Sequence, residues 1–517
     1  MSEFTDGPQA WVGAWSEKRA ALTPDRVGLV DATTGQRYTY AALDRRANRA
    51  SRLLRSHGVE RGDRVAVVSR NRPEVVDLFL ATAKTGSVLA PLSHRLAPPE
   101  LAELLGRVDP TLMVVETPFL EETRAALADV ETAPTVMAVE TDGDETVIAD
   151  APTYTDELPD YDGAVETPTL APDDTHLLLH TGGSTGTPKE TVLSHRTLVW
   201  NSLNTIASWG LRDDDVTPLT FPMFHTGGWN VVTLPVWHMG GTVVLAREFD
   251  PGQLLATVER AGATVLVAVP AVLRMLTDHD DWDETTLSTL RVVKSGGGPC
   301  RQSVMESWWA RGIDLTQGYG LTECGPNNFA MPDGWPREKA ETVGKPAMHV
   351  DARVVDGGDP VEPGAVGELQ LRSPHAASRY LANDAESEST FGGGWVSTGD
   401  LASVDAEGYY RIEGRKKDMF VSGGENVYPS EVESVLSAHE GIHEVVVVPV
   451  VDDQWGEVGR AVVEGDESLT LADIETFCEG KLARYKIPND VAFVDEMPTA
   501  GPEKIDRQAV AERFGEG

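Results

Sequence analysis

Lysine is scarce in this chain: 11 residues among 517, against 82 Asp and Glu. Lys and Arg together reach only 44, and the formal net charge at pH 7 is −38. That balance excludes the clustered basic footprint that nucleic-acid binding needs. Cysteine is nearly absent too. Cys300, Cys324 and Cys478 lie far apart, so neither a disulfide framework nor a paired zinc site is expected. No hydrophobic run is long: the longest, ATVLVAVPAVL at 263–273, falls well short of a membrane span. The polar start MSEFTDGPQA has no basic n-region, so no signal peptide and a cytoplasmic location are expected.

What the chain does have is 41% hydrophobic residues, enough to exclude disorder, in a length too great for one core. Two or more domains are expected. The acid excess runs the whole length, as in a halophilic protein working in a saline cytoplasm. At ~1 M salt the Debye length is about 3 Å, which screens self-repulsion and repulsion of anionic substrates.

Residues 39–60 predict an amphipathic helix with Leu43, Ala47, Ala50, Leu53 and Leu54 on one face. Strands are expected at 64–69, 111–115, 176–180, 242–245 and 264–269, with a helix over 74–85. This alternation predicts a mostly parallel sheet covered by helices, an α/β fold. The stretch 141–174 holds no Lys or Arg and is expected as a surface connection with short strands. From about residue 340 short strands and turns (DARVVD, GELQLRS, GYYRIEG) predict a small β-rich subdomain. After Gly414-Arg415-Lys416-Lys417-Asp418 a compact α+β unit is expected, its first helix opened by a Ser430–Glu433 capping box with Val432, Val435 and Leu436 buried.

The stretch LLLHTGGSTGTPKETVLSH, 177–195, concentrates Gly, Ser and Thr before a lysine. A Walker A loop fails, because Pro188 stands where its second glycine belongs and Glu190 follows the lysine. Gly182-Gly183-Ser184-Thr185-Gly186 matches GxSxG, so a serine hydrolase with Ser184 on a nucleophile elbow is one alternative. It leaves Thr181, Thr185 and Lys189 without work. The other reading is a phosphate cradle: exposed backbone N–H groups, hydroxyl donors and a lysine point charge.

The loop resembles the TSGTTGxPKG-like signature of the adenylate-forming acyl-CoA synthetase superfamily. Thr181, Gly183, Thr185, Gly186, Pro188 and Lys189 match, Ser184 is a conservative variant, and Gly182 and Glu190 depart. Glu190 puts a carboxylate beside the lysine in sequence. Further segments resemble the family in its order: SGGGP at 295–299, QGYGLTE at 317–323, STGD at 397–400, GRKKD at 414–418, SGGENVYP at 422–429, WGE at 455–457 and the ending from Pro498 to Arg507, where Glu503 replaces a glycine.

The resemblance spans nearly the whole chain. It implies a large N-terminal domain of βα subdomains with a small β-rich subdomain, residues 1–415, and a mobile C-terminal α+β domain, residues 416–517. It implies an AMP-forming acid–thiol ligase that uses ATP, Mg²⁺ and coenzyme A to convert a carboxylic acid to an acyl-adenylate and then to a thioester. Thr181, Gly182, Gly183, Ser184, Thr185, Gly186 and Lys189 would cradle phosphates. Gly297, Gly298, Pro299, Tyr319, Gly320 and Leu321 would flank adenine, and Thr322 would touch phosphate. Glu323 would hold Mg²⁺, Asp400 would accept from the ribose hydroxyls, and Ile412 and Arg415 would complete the nucleotide contacts. Lys417 would be the hinge, and Gly423, Gly424, Glu425 and Trp455 would serve the CoA side. Lys504 would be the catalytic lysine.

PMFHTGGWN at 222–230 resembles the family segment lining the acyl pocket, which implicates His225 and Trp229; for His225 a buried structural role stands beside that one. A medium- or long-chain fatty acid is the expected substrate, with an aryl acid or o-succinylbenzoate as the alternative. A carrier protein in place of CoA stays open.

Overall fold

The computed structural model describes residues 13–140, 151–181, 189–452, 455–499 and 505–515. The helix read from the sequence spans Tyr40–Ser56; the Thr39 hydroxyl accepts from Ala42 N at its start, and Leu43, Ala47, Ala50, Leu53 and Leu54 are all buried. Strands Arg64–Val68, Leu112–Glu116, Thr175–Thr181, Thr242–Leu245 and Val265–Ala268 also stand where the pattern indicates.

The largest sheet has six strands in the order 135–139, 112–116, 64–68, 88–92, 175–181, 189–194. Its first five are parallel and the last pairs antiparallel with Thr175–Thr181. A four-stranded sheet (37–39, 27–31, 242–245, 216–219) and a three-stranded parallel sheet (265–268, 292–295, 315–317) complete the βα portion. Strand C-termini in these layers carry the loops of interest, the usual location for ligands in open α/β sheets. A five-stranded antiparallel sheet over 351–415 is the β-rich subdomain. The C-terminal unit is α+β: strands 420–422, 425–427, 442–452 and 456–465 with 490–493 added in parallel, packed by helices Pro429–Leu436, Leu471–Cys478 and Arg507–Phe514. Its core, centred on Phe420, Val432, Leu436, Val447, Ala461 and Ile474, is separate from those of the larger part. All three cysteines are free and buried. Among the described residues no helix is long and apolar enough to cross a membrane.

Two local expectations are corrected. Ser430 does not cap its helix: Pro429 occupies the first turn after Tyr428, and Ser430 Oγ donates across to Glu413 O. Glu433 instead accepts from Val447 N at 2.7 Å and pairs with Arg507. Of the 141–174 connection, the described part, 151–174, holds a short helix, Tyr154–Glu157, and one bridge, Thr153 to Ala138, rather than strands. The connection is not only surface, since Tyr154 is fully buried.

The interior contains neutral histidines. His176 and His195 stack with centroids 4.7 Å apart, and neither ring nitrogen of His195 has a partner. Burial pushes His195 and His180 down to about 4, and His176 well below its usual range. In the unfolded chain each titrates near ~6.5. The folded form therefore binds fewer protons between those values, and the stability these rings confer is complete above about pH 6.5 and lost as pH falls toward about 4. Urea midpoints should drop steeply from pH 7 to pH 5. His195→Gln should flatten that slope by about 2 kcal/mol over the interval; an unchanged slope would show that His195 does not remain neutral.

Candidate active site

Strand Thr175–Thr181 ends at the phosphate-loop candidate, and the chain resumes at Lys189 as its antiparallel partner, with Thr181 opposite Lys189. The loop thus joins two strands of a hairpin. A nucleophile elbow requires a strand-to-helix turn, so the Ser184 hydrolase alternative is not supported. Gly182, Gly183, Ser184, Thr185 and Gly186 themselves lie outside the described residues, as does Lys504.

Alternation along Lys189–Ser194 settles Glu190. Successive side chains on a strand point to opposite faces; Glu190 turns inward, buried, and receives Arg107 Nε at 3.0 Å. Burial alone pushes its carboxyl upward, with Arg107 opposing. The carboxylate that adjoins the lysine in sequence is therefore directed away from it and already paired.

Lys189 faces the site. Its Nζ pairs with Glu386 and lies 5.5 Å from the Tyr380 ring centroid. Tyr380 Oη donates to Glu323 Oε1 at 2.9 Å, and Thr181 Oγ1 donates to the same oxygen at 3.4 Å. Glu323 is buried in a short 3₁₀ turn, Thr322–Cys324. Thr181, Lys189, Thr322 and Glu323 are thus brought together from two separate motifs. Tyr380 joins them unannounced: residues 379–381 add to the edge of Lys189–Ser194 through Leu381 N to Glu190 O, 2.8 Å, and Val192 N to Arg379 O, 3.1 Å. A one-bridge addition leaves no periodic signal in sequence, and only the adjacent ASRYLAN stretch with its isolated aromatic marks it.

The second cluster centres on Asp400. Asp400 is buried and its carboxylate engages the Tyr319 hydroxyl through one oxygen and Arg415 Nε, at 2.7 Å, through the other. Burial first, then Asp400, holds the Tyr319 phenol well above its ordinary range. Tyr319, Leu321 and Ile412 pack on the core of the β-rich subdomain. Gly320 is obligatory: a Cβ there would lie 2.2 Å from the Pro326 backbone. Gly297, Gly298 and Pro299 form the turn after strand Val292–Ser295, and Gly318 N donates to Ser295 O at 2.7 Å, tying that turn to the Tyr319 segment.

Arg301, just past the same turn, reaches Glu444 of the C-terminal unit at 3.1 Å, and Arg274 reaches its other oxygen at 3.3 Å. Lys417 is exposed in the turn between strands Tyr410–Arg415 and Phe420–Ser422. Gly423 and Gly424, φ +60° and +90°, make the two-residue hairpin closed by Ser422 and Glu425, a turn that requires φ > 0 at both centres. Gly423 N donates to Trp455 O at 2.9 Å, and Trp455 is 47% exposed beside it. The 422–429 and 455–457 segments therefore meet.

On the acid side, Trp229 is fully buried, stacked on Phe79 at 4.3 Å with Nε1 donating to Met223 O at 2.6 Å. His225 is exposed, which removes its buried-structural alternative. Rings gather around it: Phe224–His225 at 4.5 Å, His180–Phe224 at 6.0 Å, His94–Phe224 at 5.5 Å and His94–Phe119 at 4.6 Å.

The cluster fits Mg²⁺. That ion keeps most of its water and takes one or two carboxylates plus phosphate oxygens, and Glu323 offers one buried carboxylate beside the lysine. Among the described residues no group of three or more His, Cys, Asp or Glu forms a closed metal cage.

Comparison with known proteins agrees with this geometry. Residues 16–381 match the model of the AMP-binding enzyme family, and 431–504 match that of the AMP-binding enzyme C-terminal domain. A feruloyl-CoA synthase of Amycolatopsis is 36% identical, over 98% of this chain and 99% of that protein. An indoleacetate–CoA ligase of Aromatoleum aromaticum is 35% identical, over 96% of each. The crystal structure of ATP-bound MatB from Rhodopseudomonas palustris superposes with TM-score 0.89 at 30% identity, covering 98% of this chain and 99% of that one. These matches, running nearly end to end, place the chain in the AMP-binding enzyme family: it is an AMP-forming acid–thiol ligase, an acyl-CoA synthetase that uses ATP, Mg²⁺ and coenzyme A.

Proposed function

We propose that the acid is aryl-substituted, a flat ring carried on a short carboxylate arm, rather than a fatty acid. The observation that carries this is the gathering of Phe119, Phe224 and the imidazoles of His94, His180 and His225, with His180 near the end of strand Thr175–Thr181. Aromatic faces prefer offset or edge contact with other rings, worth about 0.5–1.5 kcal/mol beyond area burial. The feruloyl and indoleacetate names of two relatives support the same class.

The carboxylate oxygen attacks the α-phosphorus of ATP; that P–O bond forms as the bond to pyrophosphate breaks. The chain's own residues meet the charge of this step. Lys189 exchanges Glu386 for phosphate oxygens, the 182–186 loop donates with Thr181 and Thr322, and Lys504 reaches the α-phosphate. Glu323 would hold Mg²⁺, which when bound would neutralise phosphate charge. Asp400 exchanges Tyr319 and Arg415 for the ribose diol, with Ile412 and the 297–299 turn bounding the base. The C-terminal domain, from 416, then turns about Lys417 and brings Gly423, Gly424, Glu425 and Trp455 toward the adenylate. CoA thiolate attacks the acyl carbon, and AMP leaves with the former carboxylate oxygen. One open site serves both steps poorly, which is the physical reason for a turning domain. The acid-rich, lysine-poor composition supports a molar-salt working environment.

The test is kcat/KM in molar KCl for a hydroxycinnamic acid, indoleacetate, o-succinylbenzoate and medium- and long-chain fatty acids. An aryl acid should lead every fatty acid by at least about tenfold, about 1.4 kcal/mol. A fatty acid in the lead overturns the aryl reading and returns the sequence expectation.

A further inference from the structure

We infer that Asn327 is a positioning residue that staples the acid-side turn to the loop carrying Glu323, and so sets where the acid's carboxylate stands relative to the nucleotide. The inference rests on the reading of 222–231 as the acid-side segment.

Gly227–Val231 is a single π-turn, a form common at functional sites, and it leaves helical geometry at Val232 before helix Thr233–Met239 begins. Pro235, four residues past Val231, has no N–H to offer that carbonyl. The carbonyls of Asn230 and Val231 are nonetheless buried and must be satisfied. They are satisfied from outside. Asn201 Nδ2 donates to Asn230 O at 2.6 Å, and Asn327 Nδ2 donates to Val231 O at 3.1 Å and Asn230 O at 3.4 Å.

Asn327 belongs to the other half of the site, four residues after Glu323. Its loop is closed on itself: Asn328 N donates to Tyr319 O at 3.0 Å, and Asn328 Nδ2 donates to Gly325 O at 2.5 Å. Gly325 lies at φ +74°, where a Cβ would meet His375 at 2.7 Å and Asn201 Oδ1 at 2.9 Å. The loop is a rigid body that carries Tyr319 and Glu323 and extends the Asn327 amide to the π-turn. That amide is aimed by Thr205 Oγ1, which accepts from it at 2.7 Å, while Asn204 Nδ2 donates to Asn327 O at 2.7 Å.

Proximity is the reason this matters. A bimolecular attack becomes effectively unimolecular only when both reactants are held in near-attack geometry, and a 1 Å misplacement costs about 10²-fold. The Asn327 amide is the direct bond between the bodies that hold the two reactants. Losing it should misplace the acid without disturbing the nucleotide cluster at Asp400.

Adenylate formation by the full-length enzyme, followed as pyrophosphate release with whichever acid the wild type accepts, tests this. Asn327→Ala should lower kcat/KM for the acid by about 10²-fold while the KM for ATP stays within about twofold of wild type. Asn327→Asp keeps the size, removes the donor and should lose as much. Thr205→Val retains the amide but releases its aim, and should fall between; it also carries the test if the Asn327 variants do not fold. Parallel losses toward acid and ATP, or no selective loss toward acid, overturn the staple. Because each variant is compared with wild type on the same acid, failure of the aryl reading leaves this result intact.

Discussion

Lys504→Ala should slow adenylate formation by about 10²–10³-fold, the usual cost of removing one preorganised donor from a developing charge. Thioester formation from supplied acyl-adenylate and CoA should change far less, because the proposed domain turn would withdraw Lys504 before thiol attack. The motive is positional. Lys504 is one of 11 lysines and stands three residues before Arg507, which pairs with Glu433 and lies 3.6 Å from Asp418. Its flanks are fixed as well: Thr499 bridges Ile505, and Asp506 N donates to Pro498 O at 2.7 Å. Lys417→Pro should show the opposite bias, since proline holds φ near about −65° and hinders rotation there. Separate assays of the two half-reactions decide it. Equal losses in both for both variants would remove the domain turn from the mechanism.

Glu323→Gln carries the second large effect. The carboxylate is buried with two hydroxyl donors, Tyr380 and Thr181, on one oxygen. An amide keeps that oxygen as an acceptor but loses the charge a hard cation requires. Adenylate formation should fall by about 10²-fold, and the Mg²⁺ concentration for half-maximal rate should rise. Thermal stability should change little, because the hydroxyl bonds persist. A full rate at ordinary Mg²⁺ would show that Glu323 holds no metal.

Much of the fold was legible because its elements are locally determined. The 40–56 helix has one apolar stripe, and the 242–245 strand is a short β-branched and apolar run opened by Gly240-Gly241. Strand Val88–Leu92 was not legible: Pro91 argues against a central strand. The structure keeps Pro91 in parallel register with Val67 of strand Arg64–Val68, while on the other side Thr175–Thr181 registers with this strand only at Leu89. The Ser430 capping box failed because Pro429 places the helix start before it, and the Ser430 hydroxyl donates instead to the distant Glu413 carbonyl.

The same division runs through the site. Motifs whose chemistry is local, such as the Gly423–Gly424 turn, could be read directly. Contacts made across the fold could not. Tyr380 on Glu323, Arg107 on Glu190 and Asn327 on Val231 join residues 57, 83 and 96 positions apart. The stacking of Trp229 on Phe79, 150 positions apart, was likewise not legible.

The most direct measurement supplies the acid with ¹⁸O in its carboxylate, together with ATP, Mg²⁺ and CoA, and locates the label in the products. Attack on the α-phosphorus followed by thiol capture leaves one labelled oxygen in AMP and none in pyrophosphate. Label in inorganic phosphate, or thioester formed with unlabelled AMP, would contradict the account.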